Sequence, residues 1–291
     1  MGFFQTFWTW LNGQLATYIG NTTAKVASIL EPAVVTFATV YVMVWGYLQM
    51  TGRIDEPLTT GLKRMTTLAV VLGMAMHLWL YNSLIVDTFY QAPVQFAAAV
   101  VGAADPVRTI DAIWNSGGTV AGNVFSSGGY FGEQFGYYLV GTAIWILVGL
   151  LCVYTMFLLA LSSIASSVLI ALGPLFLTAL LFDSTRRLFE SWIGQLTNYA
   201  LVTVLTVLVA SLLLQIVSSY ASQTAARGPG TGLMDTLDML LVSVLVFLLM
   251  RQVMPIASGL ATGVALSSYG AVSRAVMWGL RAPGRLRAAL V

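Results

Sequence analysis

Reactive side chains are scarce in this chain. Histidine and cysteine occur once each, as His77 and Cys152. One cysteine forms neither an internal disulfide nor a cysteine-cluster metal site. One histidine removes paired-histidine zinc motifs and most acid–base schemes. There is no GxxxxGK(S/T) phosphate loop, no HExxH, and no GxSxG turn with a histidine beside it. The sequence therefore predicts no catalytic, cofactor-binding or metal site and a protein that is not an enzyme. Without a nucleotide-binding loop it is not an ATP-driven pump on its own, so any energy must come from another protein or an ion gradient.

The remaining candidates are residues whose importance comes from where they sit in a membrane. The stretch ALGPLFLTALLFDSTRRLFESWIGQLTNY, 171–199, is the most specific part of the chain. Gly173 and Pro174 break an apolar helix, because proline has no N–H and clashes with the preceding turn. Arg186 and Arg187 follow, then Trp192. This reads as a membrane-embedded elbow, a charged turn and an aromatic interface anchor, although Arg186, Arg187 and Glu190 would also mark a bilayer boundary without further role. Arg251, near the far end of an apolar run, either snorkels to the interface or lines a pore. Gly259, Gly263 and Ser267 recur every four residues, which suits close helix–helix approach and a seam between subunits. His77 lies in an apolar run with no carboxylate in it, so a structural imidazole bonded to a backbone carbonyl competes with a functional one.

The elements that must position these residues follow from composition. Of 291 residues, 58% are hydrophobic and 8% charged, with a net charge of +2. That is too little charge to coat a soluble surface, or to mark a nucleic-acid-coating protein. The fold class predicted is an all-α polytopic membrane protein. Five runs reach the length of about 20 residues that a bilayer core requires: Pro32–Met50, Met65–Val86, Tyr137–Leu161, Ile193–Ser219 and Leu237–Ala257. A sixth apolar stretch, Ser162–Phe182, carries four serines and the Gly173-Pro174 break, and is expected to be a broken or re-entrant helix. Before the first span, Phe4, Trp8, Leu11, Leu15 and Ile19 make one face of an amphipathic helix. Such a helix either lies in the membrane interface or packs on the rest of the protein. No basic region precedes Lys25, so this is not expected to be a cleaved signal.

Basic residues set the expected orientation, since cytoplasmic loops are enriched in Lys and Arg. Arg53, Lys63 and Arg64, then Arg186 and Arg187, then Arg274, Arg281, Arg285 and Arg287 share one side only if 162–182 does not cross fully. The expected plan has five parts. Residues 1–30 form a periplasmic amphipathic helix and 31–86 the first two spans. Residues 87–136 form an outer loop, with a surface helix over Val86–Val101 and then a flexible Gly/Ser-rich part, serving as a partner surface or a mobile linker. Residues 137–257 form the membrane core, and 258–291 a small-residue segment with a basic cytoplasmic tail.

Several segments resemble the TrbL-type polytopic inner-membrane channel subunit of type IV secretion systems, the VirB class. They are Ala171-Leu172-Gly173-Pro174-Leu175-Phe176, Thr185-Arg186-Arg187-Leu188-Phe189 with Trp192 and Gln195-Leu196, and Pro255-Ile256-Ala257-Ser258-Gly259-Leu260-Ala261 with Gly263 and the basic tail. The resemblance covers Tyr137 to Ala257 best, and the N-terminal third by layout. It implies a bacterial inner-membrane protein with periplasmic N-terminus, five spans and cytoplasmic C-terminus. It further implies a homo-oligomeric ring, a pentamer, acting as a platform or channel for pilus biogenesis and translocation. Implied partners are the lipid bilayer, a minor pilin-like stalk protein, an inner-membrane scaffold and secretion ATPases, with single-stranded DNA or effector protein as cargo. Gly173, Pro174, Arg186, Arg187, Trp192 and Arg251 become candidates for substrate passage or assembly. A self-sufficient solute or ion transporter is the alternative.

Overall fold

The computed structural model describes residues 2–52, 65–66, 69–73, 77–102, 106–127, 135–181, 185–226 and 233–261, and every long element among them is helical. Helix α1 runs without interruption over Phe3–Met50, 48 residues with Pro32 inside. The first turn of a helix has N–H groups with no internal acceptor. Here Asp111 supplies one from a distant segment: Phe4 N–H donates to its Oδ1 at 3.3 Å and Gln5 N–H to its Oδ2 at 3.2 Å. A side chain at residue 2 would occupy the space of that carboxylate, which Gly2 leaves clear. Phe4, Leu11, Leu15 and Ile19 are buried, so the amphipathic face packs on the protein itself. The N-terminal helix is thus not a unit separate from the first span. One rod contains both, and one proline in its middle is too weak a break to divide a helix that packs along half its length.

The second apolar helix differs from expectation. In place of a loop from Asp87 with a surface helix over Val86–Val101, a continuous rod α2 comprises Leu78–Tyr81, a π-helical stretch Asn82–Gln91 and Ala92–Val101. Its part Trp79–Val101 is long and apolar enough to cross a membrane. Asp87, taken from sequence as the start of a loop, is instead held within the rod, accepting from Gln91 Nε2 at 3.0 Å. His77 precedes the rod, with its side chain exposed.

Helix α3, Pro106–Ser127, replaces most of the expected flexible Gly/Ser segment. Val107, Ile110, Ile113, Val120, Ala121 and Val124 are buried at helical spacing. Between α3 and α4 (Phe135–Ala171) the glycines are contact points: a Cβ on Gly117 would strike Val148, one on Gly141 would come 2.9 Å from Phe125, and one on Gly149 3.2 Å from Trp114. In an apolar solvent small residues favour helices by allowing backbones to approach, so a composition that means flexibility in water means packing here. Residues 128–134 of that segment lie outside the described ones.

Helix α4 continues ten residues past the predicted end at Leu161, through the four serines. Ser162 Oγ donates to the Leu159 carbonyl (2.9 Å) and Ser167 Oγ to that of Ser163 (2.7 Å), while Thr203 Oγ1 donates to Ser162 Oγ at 2.8 Å. All four serines are buried, and the hydroxyls of Ser162 and Ser167 are satisfied within the helix, which continues through them. The break falls at Leu172, after which come the short helix α5 (Gly173–Thr178) and a 3-10 turn, Ala179–Leu181. Helix α6, Arg186–Ala226, then returns along α4, so 162–182 is the end of one helix plus the elbow of a hairpin. Helix α7 covers Leu233–Arg251 and, after a turn at Gln252, the chain is helical again through Ala261.

Two larger apolar clusters and a small one, Val120 and Val124 with Tyr137, hold the described helices together. The largest joins Phe4, Ala97, Ile110, Ile144, Cys152, Leu213, Val246 and Met250, and the second surrounds the elbow with Ile19, Tyr81, Ile85, Ile170, Leu177, Trp192 and Leu196. Large apolar side chains also cover the outside, among them Phe37, Val40, Met43, Trp145, Ile146, Leu150, Leu245 and Leu248. Among the described residues five helices are long and apolar enough to cross a membrane: Phe3–Met50, Trp79–Val101, Gly136–Ala171, Arg186–Leu213 and Leu240–Ala261. The chain is an all-α polytopic membrane protein.

Candidate functional site

Breaking a helix inside a membrane exposes carbonyl groups that water cannot reach. In the last turn of α4, Ile170 would ordinarily receive the N–H four residues on, but that residue is Pro174. The Tyr81 hydroxyl, carried by α2, donates to the Ile170 carbonyl instead. The Trp192 indole N–H, carried by α6, donates to the Leu169 carbonyl at 2.8 Å. Two aromatic donors from two other elements therefore seal the break.

Gly173 has a steric role in the same device. A Cβ there would collide with the Tyr81 hydroxyl and ring. The Gly-Pro pair thus acts as a unit, proline withdrawing the internal donor and glycine admitting an external one. Phe176 stacks on Trp192 with ring centroids 5.6 Å apart and an interplanar angle of 12°, and Phe189 packs on the same indole at 5.6 Å. Thr185 Oγ1 donates to the Ala179 carbonyl at 2.7 Å and closes the turn. Tyr81 is fully buried and Trp192 is 2% exposed.

The sequence candidates therefore separate. Gly173, Pro174 and Trp192 converge at the elbow. Arg186 and Arg187 sit on its outer side at the start of α6, both exposed, with Arg186 Nε 3.4 Å from Glu190 Oε1. Arg251 belongs to another region. It is exposed, and the chain is helical beyond it through Ala261. Gly259 is exposed with open space around it, while Gly263 and Ser267 lie outside the described residues. Tyr81 was missed by sequence reasoning. Only Pro174 hinted at it, since a lost donor implies that another must come from somewhere, and the partner lies 89 positions away.

Among the described residues no three His, Cys, Asp or Glu side chains converge. Fold and site together define a polytopic membrane protein organised around a sealed helical hairpin. Residues 38–253 match the model of the TrbL/VirB6 plasmid conjugal transfer protein family. The chain belongs to that family. It is 30% identical over 205 residues to Protein VirB6 of Agrobacterium fabrum, covering 69% of this chain and 66% of the relative. It is 22% identical over 228 residues to the type IV secretion system protein VirB6 of Bartonella quintana (74% and 67% covered). It is 23% identical over 237 residues to the protein of that name from Brucella abortus (77% and 66% covered). The chain thus spans about two thirds of the length of these relatives. The family match begins well before Tyr137, so the N-terminal third shares more than layout.

Proposed function

We propose that this chain is an inner-membrane platform or channel component of a type IV secretion system, supporting pilus or stalk assembly and the passage of DNA or effector protein. The observation that carries the reading is the family match over residues 38–253 on a five-span chain. Relatives named as type IV secretion proteins support it. The elbow fits the role, since a hairpin whose break is sealed by donors from two other elements is a rigid part on which a larger assembly can be built. Arg186 and Arg187, exposed beside it, then face the cytoplasm and suit contact with secretion ATPases or cargo. Gly259 lies on the seam of a homo-oligomeric ring, a pentamer, with the stalk protein and inner-membrane scaffold as further partners.

In this reading the N-terminus is periplasmic and the C-terminus cytoplasmic. A cysteine at Asn115, exposed on α3, reacts with a membrane-impermeant thiol reagent in intact spheroplasts, whereas one at Arg187 reacts only after permeabilisation. The opposite pattern would invert the topology. Deleting the gene should abolish DNA or effector transfer without slowing growth, and undiminished transfer would end the secretion reading.

The second helix interruption, at Gln252, favours one other reading. Broken helices are characteristic of transporters, and saturable uptake by liposomes holding only this chain would establish a self-sufficient solute or ion transporter.

A further inference from the structure

Helix α2 holds ten consecutive residues, Asn82–Gln91, in the π form, and the Ala92 N–H closes it by donating to the Asp87 carbonyl five residues back. Most π segments are single turns inside α-helices, and they concentrate at functional sites. The segment NSLIVDTFYQ contains neither glycine nor proline, so its own residues leave the ordinary α-helix open to it. The wider winding must come from tertiary contacts.

Those contacts lie at its two ends. The Tyr81 hydroxyl donates to the Ile170 carbonyl of α4. The Tyr90 hydroxyl donates to Asn12 Oδ1 of α1 at 2.9 Å and also meets the Ser167 hydroxyl of α4. Ile85, between them, is buried in the cluster around the elbow. Nine α-helical residues make about two and a half turns, which would send Tyr81 and Tyr90 to opposite sides. A π-helix holds more than four residues per turn, so nine make about two turns and both rings reach the α4 side. Asn82, Ser83, Asp87 and Thr88 are left exposed. The π form is thus the winding in which α2 serves the elbow and α1 at once.

The two ends are not equally fixed. Tyr81 is fully buried, whereas Tyr90 and Asn12 are half-buried. Beyond Tyr90, the part Ala92–Val101 packs along α6 and buries only Pro93 and Ala97. Ala97, Ala98 and Ala99 point in directions 100° apart, so turning this part about its axis exchanges one alanine for another. It ends at Gly102, whose φ of 69° is a conformation open to glycine without strain.

We propose that α2 is a register switch governed by α1. While Asn12 holds Tyr90, residues 82–91 stay in the π form. When α1 shifts and that bond is lost, the stretch rewinds as an α-helix and Ala92–Val101 turns against α6 by up to about half a turn. Tyr81 stays on Ile170, so the elbow remains sealed throughout. The switch goes beyond the platform reading and does not rest on it, because a helix rotation is measurable in the isolated protein.

The test uses the full chain in detergent with Cys152→Ala and spin labels on Ala99→Cys of α2 and Leu212→Cys of α6, both exposed positions. Asn12→Ala and Tyr90→Phe should each move the distance between the labels by several Å, up to about 10 Å, the width of a helix. An unchanged distance distribution in both variants would overturn the switch. Removing Ser83 and Thr88 separates winding from general loosening. It leaves Tyr81, Ile85 and Tyr90 three and then four positions apart, on one face of an α-helix, so both hydroxyl contacts persist without a π stretch. In that background Asn12→Ala should leave the distance where it was. A shift as large as before would show that the motion is not a change of winding. Transfer after gene deletion reports on secretion alone, so the two readings fail separately.

Discussion

Two prolines interrupt apolar helices in this protein, and the structure treats them in opposite ways. At Pro174 the orphaned Ile170 carbonyl is buried and receives a donor from Tyr81, while Trp192 serves Leu169 next to it. At Pro255 the affected carbonyl belongs to an exposed residue, Arg251, and the flanking Pro255, Ser258 and Gly259 are exposed as well. The same loss of an N–H is thus closed off in one place and left to the surroundings in the other. What decides the difference is whether another element carries a donor to that depth. Beside the first break, α2 and α6 bring large aromatic side chains with polar tips. On the outer flank of α7 no described element packs.

Substitutions at the two breaks should therefore differ sharply in effect. Trp192→Ala should cost the most, about 3–5 kcal/mol, because it removes a buried ring stacked on Phe176 and packed against Phe189, together with the indole donor to the Leu169 carbonyl. Thermal unfolding in detergent checks this, and a melting point equal to that of the unaltered protein would show that the elbow does not depend on the indole. Gly173→Ala comes next, at about 1–3 kcal/mol, since the added methyl displaces Tyr81. Combining it with Tyr81→Phe, itself worth about 1 kcal/mol, should cost less than the sum of the two, because both damage one hydrogen bond. Strict additivity would break the link between glycine and tyrosine. Pro255→Ala should have the smallest effect, within about 0.5 kcal/mol, as the carbonyl it touches is not sealed to begin with. A loss as large as that of Gly173→Ala would show that the two breaks are alike after all.

The same contrast marks what could be read in advance. The break at Gly173-Pro174 was legible because proline chemistry is local, and the buried face of Phe4, Leu11, Leu15 and Ile19 because helical spacing is local. The Tyr81 contact was not, as it depends on which distant element lies alongside. The Gly/Ser-rich stretch misled for a different reason. Glycine in water loosens a chain, but Gly117 lies against Val148 and Gly149 against Trp114, where the missing side chain is filled by a neighbour.

Sequence alone settled the solvent of this protein, its helical class and the number of its spans, because transfer of apolar length into a bilayer sums residue by residue and needs no partner. Tertiary structure decided that α1 is a single rod, that Asp87 lies within a continuous helical rod, and which broken carbonyl is capped. Those outcomes depend on donors and surfaces brought together from positions tens of residues apart, and no local pattern encodes that meeting.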